Sequence, residues 1–140
     1  MRVVETKSGF LIRLDPGEEI IENLSAFVEK RNIGGGSISG IGAVLDTTLG
    51  YFDLHQKIYD RKVYADDMEL VSFVGNISWI DGKPMVHAHA SLSGPDYQVV
   101  GGHLFSATVA VTGEFYLYPI DERIERAPDP RSGLNLIADA

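Results

Sequence analysis

Three of the four histidines lie within "VHAHASLSGPDYQVVGGHLFSA", residues 86–107, and that crowding is the strongest chemical signal in the chain. His87 and His89 are spaced i, i+2, and His103 follows the pair Gly101-Gly102. Alternation along a strand puts residues i and i+2 on one face, so His87 and His89 point the same way while Val86, Ala88 and Ala90 point the other. The intervening "LSGPDYQVVGG" is rich in turn residues and can fold His103 back beside the pair. Three neutral imidazoles suit Zn²⁺ or another divalent transition metal and leave a further coordination position open. An ion held in that way polarises a carbonyl or activates water. The same H-x-H spacing is also compatible with two half-exposed histidines that bind nothing. His55, in "FDLHQK", sits in a polar stretch and reads as a surface residue.

The elements around this segment are mostly strands. "VVETKSGFLIRLD" reads as two short strands, or one bent strand, punctuated by Ser8-Gly9. "DPGEEIIENLSAFVEKRNIGGG" reads as the principal helix. Asp15 is the expected N-cap, with Glu18 three residues on completing a capping box, and Gly34-Gly35-Gly36 the expected end. Ile20, Ile21, Leu24, Phe27 and Val28 form its apolar face. Strand signals follow in "SISGIGAVL", where Gly40 and Gly42 suggest a bulge or a close backbone approach, and in "TTLGYFDL", "KIYDRKVYAD" and "MELVSFVGNISWI". In the last of these Leu70, Ser72 and Val74 alternate with Val71, Phe73 and Gly75. After the Asp81-Gly82 turn come "PMVHAHASL", "YQVVGGHLF" and "ATVAVTGEFYLYPI". The Pro-rich tail "ERAPDPRSGLNLIADA" is expected to be irregular. One helix against some seven strands predicts an α+β fold on a largely antiparallel, mixed sheet, as a single domain over residues 1–140.

Composition narrows the function classes. With 44% hydrophobic and 23% charged residues the chain reads as globular rather than disordered. No apolar run approaches the ~20 residues of a membrane span, and "MRVVETKSGF" has no apolar signal-peptide core, so the expected location is cytoplasmic. The absence of cysteine excludes disulfides, thiolate nucleophiles and Cys-ligated zinc. A net charge of −8 works against phosphate neutralisation and hence against DNA. The only basic clusters are Lys30-Arg31 and Arg61-Lys62, which read as solvated faces.

"GIGAVLDTTLGYFD", "ELVSFVGNIS", "GKPMVHAHASLSGPDYQVVGGHLFSA" and "SGLNL", in this order and spacing, resemble the PPC (plants and prokaryotes conserved) domain family over nearly the whole chain. The resemblance implies an α+β PPC-domain fold with a barrel-like core, and assembly as a homotrimer. It implies that H-x-H with G-G-H is a metal site, usually zinc, which carries onto His87, His89 and His103. Plant relatives are DNA-binding, but through a separate R-G-R-P segment that this chain lacks. The plant segment corresponding to Met68–Phe73 implies a partner- or subunit-facing surface. Glycines 40, 42, 75, 101 and 102 are expected to let backbones approach closely, at subunit contacts among other places. The histidine arrangement is more distantly similar to that of α-acetolactate decarboxylase, a zinc lyase.

Three function classes follow. The first is a metal-dependent lyase or hydrolase acting on a small metabolite bound at the ion. Glu114, in "VTGEFYLY", is its first acid–base candidate, because an unpaired carboxylate is costly within an apolar strand. Glu69, Tyr51 and Asn76 are weaker candidates. The second is a non-catalytic trimeric ligand-binding module, and the third a DNA-binding regulator.

Overall fold

The computed structural model describes residues 1–138 of the 140. Among them the elements run β1 (Arg2–Thr6), β2 (Gly9–Leu14), α1 (Ile20–Arg31), β3 (Gly35–Asp53), β4 (Ile58–Tyr64), β5 (Met68–Ile80), β6 (Lys83–Ser93), β7 (Val99–Ile120), β8 (Arg126–Pro128) and β9 (Asn135–Ile137). The expected α+β architecture is present. Seven strands form one antiparallel sheet in the order β1-β2-β7-β6-β5-β3-β4. An extra pairing of β7 with β3 closes β3, β5, β6 and β7 into a partial ring. No described helix is long and apolar enough to cross a membrane.

Two segments each read as a pair of strands are single long strands. β3 absorbs both "SISGIGAVL" and "TTLGYFDL", and β7 runs unbroken from Val99 to Ile120. Register shifts between Gly40 and Gly42, and again between Gly42 and Val44, bend β3 so that it pairs with β5 along one half and with β4 along the other. Glycine is required at the bend: a Cβ on Gly42 would lie 2.2 Å from the Thr112 carbonyl oxygen. Close approaches at Gly42, Gly75 and Gly102 are all to strands of the same chain, so these glycines serve the sheet itself. A further register shift between Leu70 and Ser72 interrupts the alternation expected of β5. Leu70, Phe73 and Ile77 are buried, while Val71 and Val74 are exposed.

α1 lays Ile20, Leu24, Phe27 and Val28 against β6 and β7. Its start differs from the capping-box reading. The N-cap is Glu19, whose carboxylate accepts from the Glu22 N–H and also from the Ala107 N–H of β7 at 2.9 Å. Asp15 instead opens a turn and pairs with Arg13 and the N-terminal ammonium. The Glu18 side chain still accepts from the Asp15 N–H, at 2.7 Å, so half of the box forms outside the helix. The end also comes early: Asn32 takes the left-handed position itself (φ 49°), and its N–H reaches back to the Glu29 carbonyl. The core beneath is aromatic and aliphatic, with Phe73 and Phe115 packed edge to face at 5.1 Å. Burying each of these rings stabilises the fold by about 1.5–3 kcal/mol.

The tail is ordered where irregularity was expected. β8 and β9 pair into a small ribbon. It is fastened to β5 by the Trp79 N–H, which donates to the Ile124 carbonyl at 2.8 Å. Its turn is organised by Asp129, whose carboxylate accepts from the Ser132 N–H and hydroxyl. These bonds hold the Asp129 carboxyl down to about 2.

Candidate metal centre

His87 and His89 project from β6, and His103 projects from the start of β7. Val86, Ala88 and Ala90 turn inward to the core, so strand alternation frees both histidines of β6 on the other face. The β6–β7 hairpin places His103 directly opposite His89. Its turn contains Tyr97 in a left-handed conformation (φ 60°), with the Tyr97 N–H bonded to the Gly94 carbonyl. On its other side His103 pairs with Gly50 of β3. There Gly102 approaches so closely that a Cβ would lie 2.8 Å from the Gly50 carbonyl oxygen. The three rings converge, with centroids 5.1–5.6 Å apart. Each offers a nitrogen within 4.8 Å of the others.

The surroundings favour neutral imidazoles. Burial, and after it His87 and His89, lower His103 to about 4. Burial, and after it Arg126, lower His87. His103 is wedged against Tyr59 and Phe105, with centroids at 5.0 and 4.7 Å, and the Arg61 guanidinium lies 3.7 Å above the Phe105 ring. Its Nδ1 is buried and has no hydrogen-bond partner. An orphaned imidazole nitrogen amid two other imidazoles fits a divalent transition metal, whose binding would satisfy it.

Arg126 is the residue that the sequence reading missed. It comes from β8, in the tail taken as irregular. Its Nε donates to the Ser78 hydroxyl at 2.7 Å, its Nη1 to the Asn135 carbonyl at 3.0 Å, and its Nη2 to Asn76 Oδ1 at 3.0 Å. Nη2 also lies 3.1 Å from His87 Nδ1. A guanidinium only donates, so in the metal-free chain Nδ1 accepts and the neutral ring carries its proton on Nε2; for His87 to ligate a metal through either nitrogen, this contact must be given up. Only tertiary folding brings β8 to β6, and no local pattern announces it. Asn76, a weak candidate from sequence, is drawn into the site by this contact.

The other candidates lie elsewhere. Glu114 is exposed, far along β7 from His103, and lines a separate hollow of about 600 Å³ with Glu69, Ile41, Val71 and Val111. None of the three histidines lines that hollow, and no carboxylate lines the one beside the histidines. Glu114 therefore lies away from the histidines of its own chain. A carboxylate in an outward-facing position of this strand meets water, which removes the cost that had singled it out. Tyr51 is exposed on β3. His55 is exposed in the β3–β4 turn, as expected, with its N–H on Asp53.

The family model described as the Plants and Prokaryotes Conserved (PCC) domain matches residues 1–121. The chain belongs to this family. Among solved PCC-like structures, a metal-containing protein from Archaeoglobus fulgidus is 40% identical, with a TM-score of 0.87 over 99% of this chain and 100% of that one. A Bacteroides thetaiotaomicron protein, named only as a candidate DNA-binding protein, is 34% identical, with a TM-score of 0.94 over 98% of this chain and 96% of that one. α-Acetolactate decarboxylase from Bacillus subtilis shares the fold alone: identity is 13% and the TM-score 0.55, over 88% of this chain and 57% of that one. Among curated proteins none matches. The PCC match stops short of the β8–β9 ribbon, so Arg126 lies outside the matched residues.

Proposed function

We propose that this PCC-domain protein binds one divalent transition metal, zinc by the chemistry of its donors, through His87, His89 and His103, and uses it on a small polar or anionic metabolite. The observation that carries the reading is the convergence of three imidazole nitrogens within 4.8 Å beside a hollow of about 250 Å³. The metal-containing Archaeoglobus relative supports it. Three protein ligands leave a coordination position for a ligand, as in catalytic rather than structural zinc sites. When bound, such an ion supplies Lewis acidity and activates water, as a lyase or hydrolase needs. The chain's own residues do the rest. Tyr59 and Phe105 fix the His103 ring, while Asn76 and Ser78 hold the Arg126 side chain beside the histidines. Metal analysis of the purified chain tests the reading: about one equivalent of zinc is expected, and a metal-free protein after growth and dialysis with zinc would refute it.

The assembled form is proposed as a homotrimer. Ile41, Val71 and Val111 are 58%, 50% and 67% exposed around one hollow, an apolar patch that subunit contact would cover. The DNA-binding reading rests on names alone, those of the Bacteroides relative and of a Ralstonia eutropha protein. A net charge of −8 opposes it. Retention on duplex DNA at ~0.15 M salt, where weak electrostatic binding fades, would restore it.

A further inference from the structure

The charge around the histidines is unbalanced. Every acceptor that Arg126 meets is neutral: Ser78, Asn76, His87 and the Asn135 carbonyl. Neither Arg126 nor Arg61 forms an ion pair with a carboxylate among the described residues. The histidine hollow is lined by no Asp or Glu. The three imidazoles bring no negative charge either. A divalent ion seated there would add its charge beside a partly buried guanidinium, and such an excess is costly unless an anion offsets it.

We propose that Arg126 and the ion's open position together form a binding site for a small carboxylate carrying a short apolar tail. This rests on the metal reading given above. One Nη1 N–H is uncommitted, and the Nη2 N–H on His87 is released when that ring takes up a metal, so the guanidinium can then offer two donors to the two oxygens of a carboxylate. The hollow, about 250 Å³, suits a ligand of a few heavy atoms. Met85, Phe105, Leu134 and Leu136 give it an apolar side that free phosphate would not use. The ribbon makes the site. β8 supplies Arg126, β9 supplies Leu136 and the Asn135 carbonyl that steadies the guanidinium, and the Asp129–Ser132 turn joins them.

The test uses the full chain loaded with cobalt(II), whose visible absorption reports its ligands, titrated with propionate, inorganic phosphate and, as a neutral molecule of similar size, 1-propanol. Propionate is expected to give a saturable spectral change and 1-propanol none. Arg126→Ala keeps all three histidines, so it is expected still to load at saturating cobalt and then to bind propionate about 10–100-fold more weakly than the native chain, the loss of a charge-assisted contact. Arg126→Lys keeps a point charge without the fork and falls between. It also covers the case in which Arg126→Ala does not fold, because it preserves more of the ribbon's packing. Native-like propionate binding in the cobalt-loaded variants overturns the carboxylate site and leaves the metal reading standing. A response to phosphate without one to propionate overturns the ligand class. A native chain that takes up no cobalt removes both readings.

Discussion

His89 and His103 are directly paired residues on adjacent antiparallel strands, with ring centroids 5.6 Å apart. The hairpin's register, rather than any loop conformation, sets their separation. A one-residue slip between β6 and β7 would turn one ring to the opposite face. The centre is therefore built into the sheet, and its chemistry can be probed without rearranging the fold.

Single removal of each ring tests the centre directly. His87→Ala, His89→Ala and His103→Ala are each expected to weaken zinc binding by more than about 100-fold, beyond the 10–100-fold typical of losing an outer partner. Competition against a chromophoric chelator measures this. Unchanged affinity in all three variants would remove the proposed site.

Acid should act through His103. Its folded value of about 4 lies below the ~6.5 of an unfolded histidine. Between these values the unfolded chain binds more protons, so stability rises with pH across that window. For the metal-free protein, the contribution is fully present above pH ~6.5 and is lost as pH falls through about 4. His87, shifted in the same direction, adds to it. Denaturant midpoints of the native chain and His103→Gln, both metal-free, should converge as the pH drops from 7 to 4.5. Parallel curves would contradict the burial of this ring.

The helix start separates two readings of one sequence. Glu19→Ala removes the observed cap and the partner of the Ala107 N–H, and should cost about 1–2 kcal/mol. Asp15→Ala removes only exposed ion pairs and should cost less than about 1 kcal/mol. Urea unfolding of both variants gives the order. The reverse order would reinstate Asp15 as the cap.

Oligomeric state can be read by light scattering. A mass three times the chain's 15.3 kDa is expected. Val71→Asp, at an exposed position of the apolar patch, should shift it toward the monomer while the metal content holds. A monomeric native chain would end the trimer proposal.

How much of this was legible depends on the range of each interaction. His87 and His89 were readable because strand period is a local property, and the β6–β7 hairpin because its turn residues are adjacent in sequence. The apolar face of α1 was readable for the same reason. The cap was not: Glu19 displaces Asp15 because its carboxylate also serves Ala107, a contact across the fold. The phase of β5 was misread past Leu70, since a bulge leaves no mark when both flanking residues are apolar or small. Arg126 was invisible because its meaning depends on Trp79 and Asn76 receiving the tail.

β7 is hydrogen-bonded in turn to β2, β6 and β3, and it carries His103. His103 itself is flanked by β6 on one side and β3 on the other, so releasing that ring means breaking two ladders at once, an event as rare as global unfolding. Arg126 hangs from a two-stranded flap that a few backbone bonds hold to β5, which can open while the ladders stay shut. One wall of the cleft thus breathes and the other does not. In amide exchange, residues 126–137 should trade deuterium well before residues 103–117, and a small molecule would enter and leave from the ribbon side.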